Sequence, residues 1–134
     1  MKRLMLTGIT LLLLSAGGAQ AEWTRAAVSS KVTDAFTLYV DPATIQRNGK
    51  LATMWDLQDF KATQFVDGQT YLSEKTQIEF DCEARQARVL ATIDLSGQMA
   101  TGEIVYSDGD KSDWTAVAAN TLGEIEWKAA CGVK

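Results

Sequence analysis

The sequence predicts an α+β chain that is mainly β: one antiparallel sheet with a C-terminal helix stapled across its inner face. Three observations carry this. Apolar residues recur with period two along most of the chain, the signature of strands with one buried side. The period becomes helical after Thr121. There are two cysteines: Cys82 lies near the end of a strand-like run, and Cys131 lies at the end of the helical segment.

The chain opens with Lys2 and Arg3, an apolar run from Leu4 to Leu14, and Ala19-Gln20-Ala21. That is the layout of a secretory signal, with cleavage expected after Ala21. The run is shorter than the roughly 20 apolar residues of a spanning helix. No Cys follows it, so the expected product is periplasmic or secreted and not lipid-anchored. The precursor therefore divides into 1–21, a signal peptide, and 22–134, the exported domain.

The segment 22–134 lacks Lys2 and Arg3, so it keeps 11 of the 13 basic residues against all 17 acidic ones, a formal charge of −6. Such a balance disfavours nucleic acid and anionic membrane surfaces, both of which need clustered Lys and Arg.

The strands follow in order. Trp23 to Ser29 is a weak first strand. Ala35 to Val40 places Phe36, Leu38 and Val40 on one face, and Asp41-Pro42 is expected to end it. Asn48-Gly49 signals a turn. Leu51 to Phe60 puts Leu51, Trp55 and Leu57 on one face; Phe60 breaks that register, which suggests a bulge near Gln58. Asp67-Gly68 is a second turn. From Tyr71 to Glu83, Ile78, Phe80 and Cys82 alternate with Gln77, Glu79, Asp81 and Glu83, so Cys82 is expected on the apolar side with the carboxylates in water. Val89, Ile93 and Leu95 are expected to share a face of the next strand. Gly97 and Gly102 bracket a turn before a strand from Gly102 to Ser107. Connections this short suit an antiparallel meander.

Thr121-Leu122-Gly123-Glu124 fits a capping box that starts a helix, with Leu122, Ile125 and Ala129 on its apolar face. So short a helix needs a surface to pack on. In an oxidising compartment two cysteines default to a bond, here Cys82 to Cys131. Closing a loop of roughly 50 residues stabilises by about 4 kcal/mol in the chain-entropy model.

The ordered set Tyr39-Val40-Asp41, Thr44-Ile45, Trp55-Asp56-Leu57 with Asp59-Phe60, Tyr71-Leu72-Ser73-Glu74-Lys75, Phe80-Asp81-Cys82, Met99 with Gly102, Trp114 and Cys131 resembles the surface-adhesin protein E family of Gram-negative bacteria. The resemblance implies about six antiparallel strands with a C-terminal helix disulfide-tethered to the concave face. It also implies a non-enzymatic role: named members bind host extracellular-matrix and serum proteins, and haem has been linked to them. Their contacts use a basic cluster before the strand that carries the first Cys. Here that stretch reads Asp67-Gly68-Gln69-Thr70-Tyr71, with no positive charge until Lys75, so no binding residue is carried over.

The chain has no His, which removes nucleophilic triads, zinc sites built on His and His-ligated haem. No catalytic, cofactor or metal residues are singled out. The carboxylate groups Asp56 with Asp59, and Glu79 with Asp81 and Glu83, read as solvated strand faces rather than as a glycosidase pair. Asp108 to Asp113 starts like a calcium loop, but Asp113 stands where Gly is required and Ala119 where a bidentate Glu is required. Trp55 and Trp114 are expected in the core. Trp127 lies off the helical stripe and is expected to be an exposed contact residue.

These features favour an exported non-enzymatic binding module that recognises a protein or envelope component, with a homodimer through a sheet edge as a further arrangement. The alternative is a periplasmic inhibitor of a cell-wall-degrading enzyme such as lysozyme, where an acidic domain would meet a cationic target.

Overall fold

The computed structural model describes residues 22–29 and 34–134. The signal segment expected over 1–21 lies outside the described residues. Seven strands and one helix follow in order: β1 (Thr24–Ser29), β2 (Phe36–Asn48), β3 (Leu51–Val66), β4 (Gln69–Asp81), β5 (Gln86–Leu95), β6 (Ile104–Asp108), β7 (Thr115–Ala116) and α1 (Leu122–Cys131). Strands β1 to β6 form one antiparallel sheet in sequence order, and β7 adds two residues against the start of β5. This is the meander that short connections require.

Turn chemistry sets the hairpins. Gly49, at φ +60°, opens the β2–β3 turn, while Asn48 stays in β2 opposite Leu51. Asp67 and Gly68 both have positive φ, the backbone of a type I′ hairpin turn. At the β4–β5 turn the Asp81 carboxylate accepts from the N–H groups of Glu83 and Ala84, at 3.0 and 2.8 Å.

Several strands depart from the sequence expectation. Asp41-Pro42 does not end β2. The β2–β3 ladder is irregular between Asp41 and Gln46, and side chains fill the gap. The Thr44 hydroxyl donates to the Asp41 carbonyl at 2.7 Å and accepts from the Trp55 N–H at 3.0 Å. Pro42 sits there because no ladder bond needs its missing N–H. No bulge lies at Gln58, which pairs regularly with Leu38. Phe60 simply belongs to the opposite face from Leu57, and the β3–β4 irregularity falls between Asp59 and Gln64. In β5 the ladder steps from Ala91 to Val89, leaving Leu90 extra; Val89 and Ile93 therefore face opposite ways.

Helix α1 begins at Thr121, whose hydroxyl accepts from the Glu124 N–H, and ends at Gly132 in the left-handed conformation. The helix lies on the face carrying Val40, Ala52, Met54 and Phe80, and Trp127 and Ala130 complete that core. The disulfide joins Cys82, just beyond β4, to Cys131, with Cα atoms 5.6 Å apart. At the other end of this face Phe36, Phe60 and Tyr71 stack edge to face. The opposite face carries Leu57 and Leu95, and loop 96–102 is bonded to it. There the Ser73 hydroxyl donates to the Gly97 carbonyl at 2.6 Å and accepts from the Ala100 N–H at 3.0 Å.

The buried helical face is not the predicted one. Ile125 is exposed, while Glu126, Trp127 and Ala130 are buried. A stripe chosen by hydropathy alone passes over Glu126, whose partner lies far away in sequence.

Candidate functional site

Between the helix-covered core and the aromatic end, the inner face of the sheet is acidic. Asp56 on β3 stands opposite Thr76 on β4, and Glu74 on β4 stands opposite Asp94 on β5. Residues two apart in a strand share a face, so Asp56, Glu74 and Asp94 join Met54 and Phe80 on the side where α1 lies. Glu126 descends from α1 onto Asp56 and hydrogen-bonds it. Asp56 is 2 % exposed, Asp94 2 % and Glu126 6 %.

Two carboxylates can hydrogen-bond one another only by sharing a proton, and burial favours keeping it. Burial, reinforced by the Glu126 charge, raises Asp56 well above the usual carboxylate range, although the Thr76 N–H at 3.2 Å pulls the other way. Burial raises Glu126 to about 7. In the adjoining pair, burial and then the hydrogen bond and charge of Asp94 push Glu74 up to about 8, and burial raises Asp94. Burial and the same two acids raise the Tyr71 phenol. The ion pairs among the described residues are Lys50–Asp81, Arg85–Glu124, Arg88–Glu79 and Lys128–Glu124; none reaches these four acids. Asp94 Oδ1 is buried with no hydrogen-bond partner among the described residues.

A cavity of about 190 Å³ opens beside this row. Its walls are Ile78, Phe80, Ala87 and Val89 of the sheet, the hydroxyl side chains Ser112 and Thr115, and Gly123 and Glu126 of α1. Arg88 also lines it, but its guanidinium is held by Glu79 at 2.7 Å and stacks over Trp114 at 4.5 Å. The cavity is thus an apolar cleft with an acid at the wall, the usual make-up of a small binding site. A second depression, of about 780 Å³, lies between Val28 of β1 and the first turn of α1.

The residues singled out from the sequence fall as follows. Cys82 and Cys131 are bonded. Trp127, expected to be an exposed contact residue, is instead 5 % exposed in the core. Its indole N–H donates to the Asp81 carbonyl at 3.1 Å, and the Arg85 guanidinium covers its ring at 4.5 Å. Trp55 and Trp114, expected in the core, are half-buried and covered by Lys75 and Arg88. Asp56 and Asp59 lie on opposite faces and do not pair. Glu79 and Asp81 are not solvated acids: one holds Arg88 and the other holds the β4–β5 turn. The Ala84 N–H, above all, keeps Asp81 below the usual carboxylate range. Asp108 accepts from the Asp110 N–H at 2.8 Å, a turn bond, and among the described residues no group of three or more Cys, Asp or Glu has the geometry to hold a metal. Glu74, Asp94 and Glu126 escape a sequence reading; the one visible signal is Glu74 at the inward phase of strand β4.

A single antiparallel meander, closed on one side by a disulfide-tethered C-terminal helix, defines a small non-barrel class of α+β domain. The chain belongs to the surface-adhesin protein E family, whose sequence profile it matches over residues 23–132. Its fold is similar to Haemophilus influenzae protein E in crystal form II, with a TM-score of 0.62 at 10 % identity over 84 % of this chain and 97 % of that one. It is also similar to the selenomethionine form of that protein, with a TM-score of 0.61 at 11 % identity over 81 % and 94 %. At such identities the likeness shows the fold. No curated protein sequence matches the chain.

Proposed function

We propose that this chain is an exported, non-enzymatic binding module of the bacterial envelope, recognising a protein or envelope component through the inner side of its sheet beside α1. The observation that carries the reading is the open cleft between α1 and β4–β5, with apolar walls and a buried acid, in a domain of the surface-adhesin protein E family. The acid pairs support binding rather than catalysis, because Asp56 and Asp94 are packed away from any substrate. The signal-like layout of 1–21, read from the sequence, and the absence of a Cys directly after it are the grounds for proposing release to the periplasm or medium. No observation favours the inhibitor alternative.

Immobilised protein spanning 22–134 should retain a defined partner from envelope extract or host matrix. Retention of nothing above background would contradict the proposal. The intact mass of the exported protein should correspond to a chain starting at Glu22.

A further inference from the structure

Strand β1 is an open edge of the sheet. It pairs with β2 on one side, and along its other side the backbone N–H and C=O groups have no strand partner among the described residues. Such a row is a template for an added strand. The protections that edges usually carry are sparse here. β1 has no proline, and its one register shift falls between Arg25 and Ala27. Beyond that shift Ala27, Val28 and Ser29 run regularly against Leu38, Thr37 and Phe36.

Apolar surface flanks this edge. The depression of about 780 Å³ runs from Val28 and Ser29 of β1 to Leu122 and Ile125 of α1. Val28 is 43 % exposed and Ile125 40 %. Val28 pairs with Thr37, whereas Leu38 and Val40 share the side where α1 lies, so Val28 points to the other side. The depression takes in residues from both sides of the sheet and therefore follows the open edge. A strand laid on β1 would turn one set of its side chains toward Leu122 and Ile125 and the alternate set toward Val28. Charge adds a further requirement. Glu124, the acid of the depression, is held by Arg85 and Lys128. Arg25, exposed on β1, takes part in none of the ion pairs among the described residues.

We propose that β1 takes an extended segment of another protein, added antiparallel along its open edge, with apolar side chains on Leu122, Ile125 and Val28 and a carboxylate on Arg25. The backbone ladder supplies the affinity, and the alternate side chains select the segment. A second copy of this chain fits the edge less well. Its own β1, Thr24–Ser29, brings no acid to Arg25, and two domains each of formal charge −6 repel one another. The edge is separate from the cleft at β4–β5 and does not depend on it.

The probe is an acetylated and amidated hexapeptide of alternating threonine and valine that ends in glutamate, with lysine in place of that glutamate as its control. Amide resonances of Ala27, Val28, Ser29 and Leu122 should shift saturably with a dissociation constant on the order of 1 mM, while those of Ala87 and Val89 at the cleft stay in place. The lysine control should bind about threefold more weakly, and Arg25→Glu should reverse that preference. Val28→Lys, which sets a charge at the open edge, should weaken the glutamate peptide by about tenfold while retaining the near-UV signal of Trp127. Ile125→Ser should weaken it by about threefold from the helix side, even if Val28→Lys disturbs β1. Shifts that spare β1, or a preference unchanged by Arg25→Glu, overturn the inference. A dimer in sedimentation that Val28→Lys dissolves gives the edge to a second copy and also overturns it. If the wild type captures a partner from extract and Val28→Lys and Ile125→Ser capture it equally, the edge inference falls and the binding-module reading stands.

Discussion

Trp127 on α1 donates its indole N–H to the backbone carbonyl of Asp81, the last residue of β4, at 3.1 Å. The same turn supplies Arg85, which covers the indole and pairs with Glu124 at 2.7 Å. Cys82, the residue after Asp81, bonds Cys131 at the helix end. The helix is therefore held at one corner of the sheet by packing, a hydrogen bond and a covalent link.

Removing the indole separates these effects. Trp127→Ala should destabilise the domain by about 3–5 kcal/mol, the usual cost of an emptied aromatic site. Trp127→Phe keeps most of the packing but loses the hydrogen bond to the Asp81 carbonyl, and should cost about 1 kcal/mol. Urea unfolding of both variants checks the order.

Reduction of the disulfide should lower stability by about 4 kcal/mol in the chain-entropy model. Because the link is at the C-terminal end of α1, the helix should lose protection first. Amide exchange with and without reductant should show Trp127 and Ala130 opening well before Phe80 and Ala52.

Gly102 has φ +82°, and a Cβ there would meet the Ser96 hydroxyl and the Gly97 nitrogen. Gly102→Ala should destabilise by about 1–3 kcal/mol, through both the disfavoured backbone and the close approach. The loop spans the outer face of the sheet through Ser73, so Ser73→Ala should loosen the same segment by about 1 kcal/mol. Thermal melts of the two single variants and their double test whether they share one loop, since coupled sites are not additive.

Much of the architecture was legible because it rests on local rules. Alternation located the inward side chains of β2 and of β4, Asp67-Gly68 formed its turn, and Thr121 capped its helix. The misreadings share a physical origin. Pro42 ends a strand only when its missing N–H is needed, and Thr44 removes that need from two residues away. Leu90 reverses the facing of β5 because a partner strand imposes an extra residue, which spacing within β5 cannot show. Trp127 and Ile125 exchanged roles because the sheet selects which helical face it buries, and Glu126 had a carboxylate waiting on β3. The acidic row was illegible for the same reason: Asp56, Glu74, Asp94 and Glu126 come from four elements, and only pairing brings them together.

That row makes the most direct test of the account. These acids have folded pKa values raised above their unfolded ones, so the folded chain holds protons that the unfolded chain releases. Their contribution is fully present below the ordinary glutamate value of 4.5. It is lost as pH rises through about 7 for Glu126 and about 8 for Glu74. Asp81 acts oppositely, its lowered pKa contributing stability that is lost only as pH falls into the acid range. Chemical unfolding should be measured between about pH 5 and about pH 8.5 for the wild type and for Asp56→Asn, which removes one acid of the helix–sheet pair and can still donate to Glu126. The wild type should lose on the order of 3 kcal/mol over this range, and Asp56→Asn should show a clearly shallower loss. A wild type as stable at the alkaline end as at the acid end, or a variant with an unchanged slope, would contradict a proton shared between α1 and the sheet.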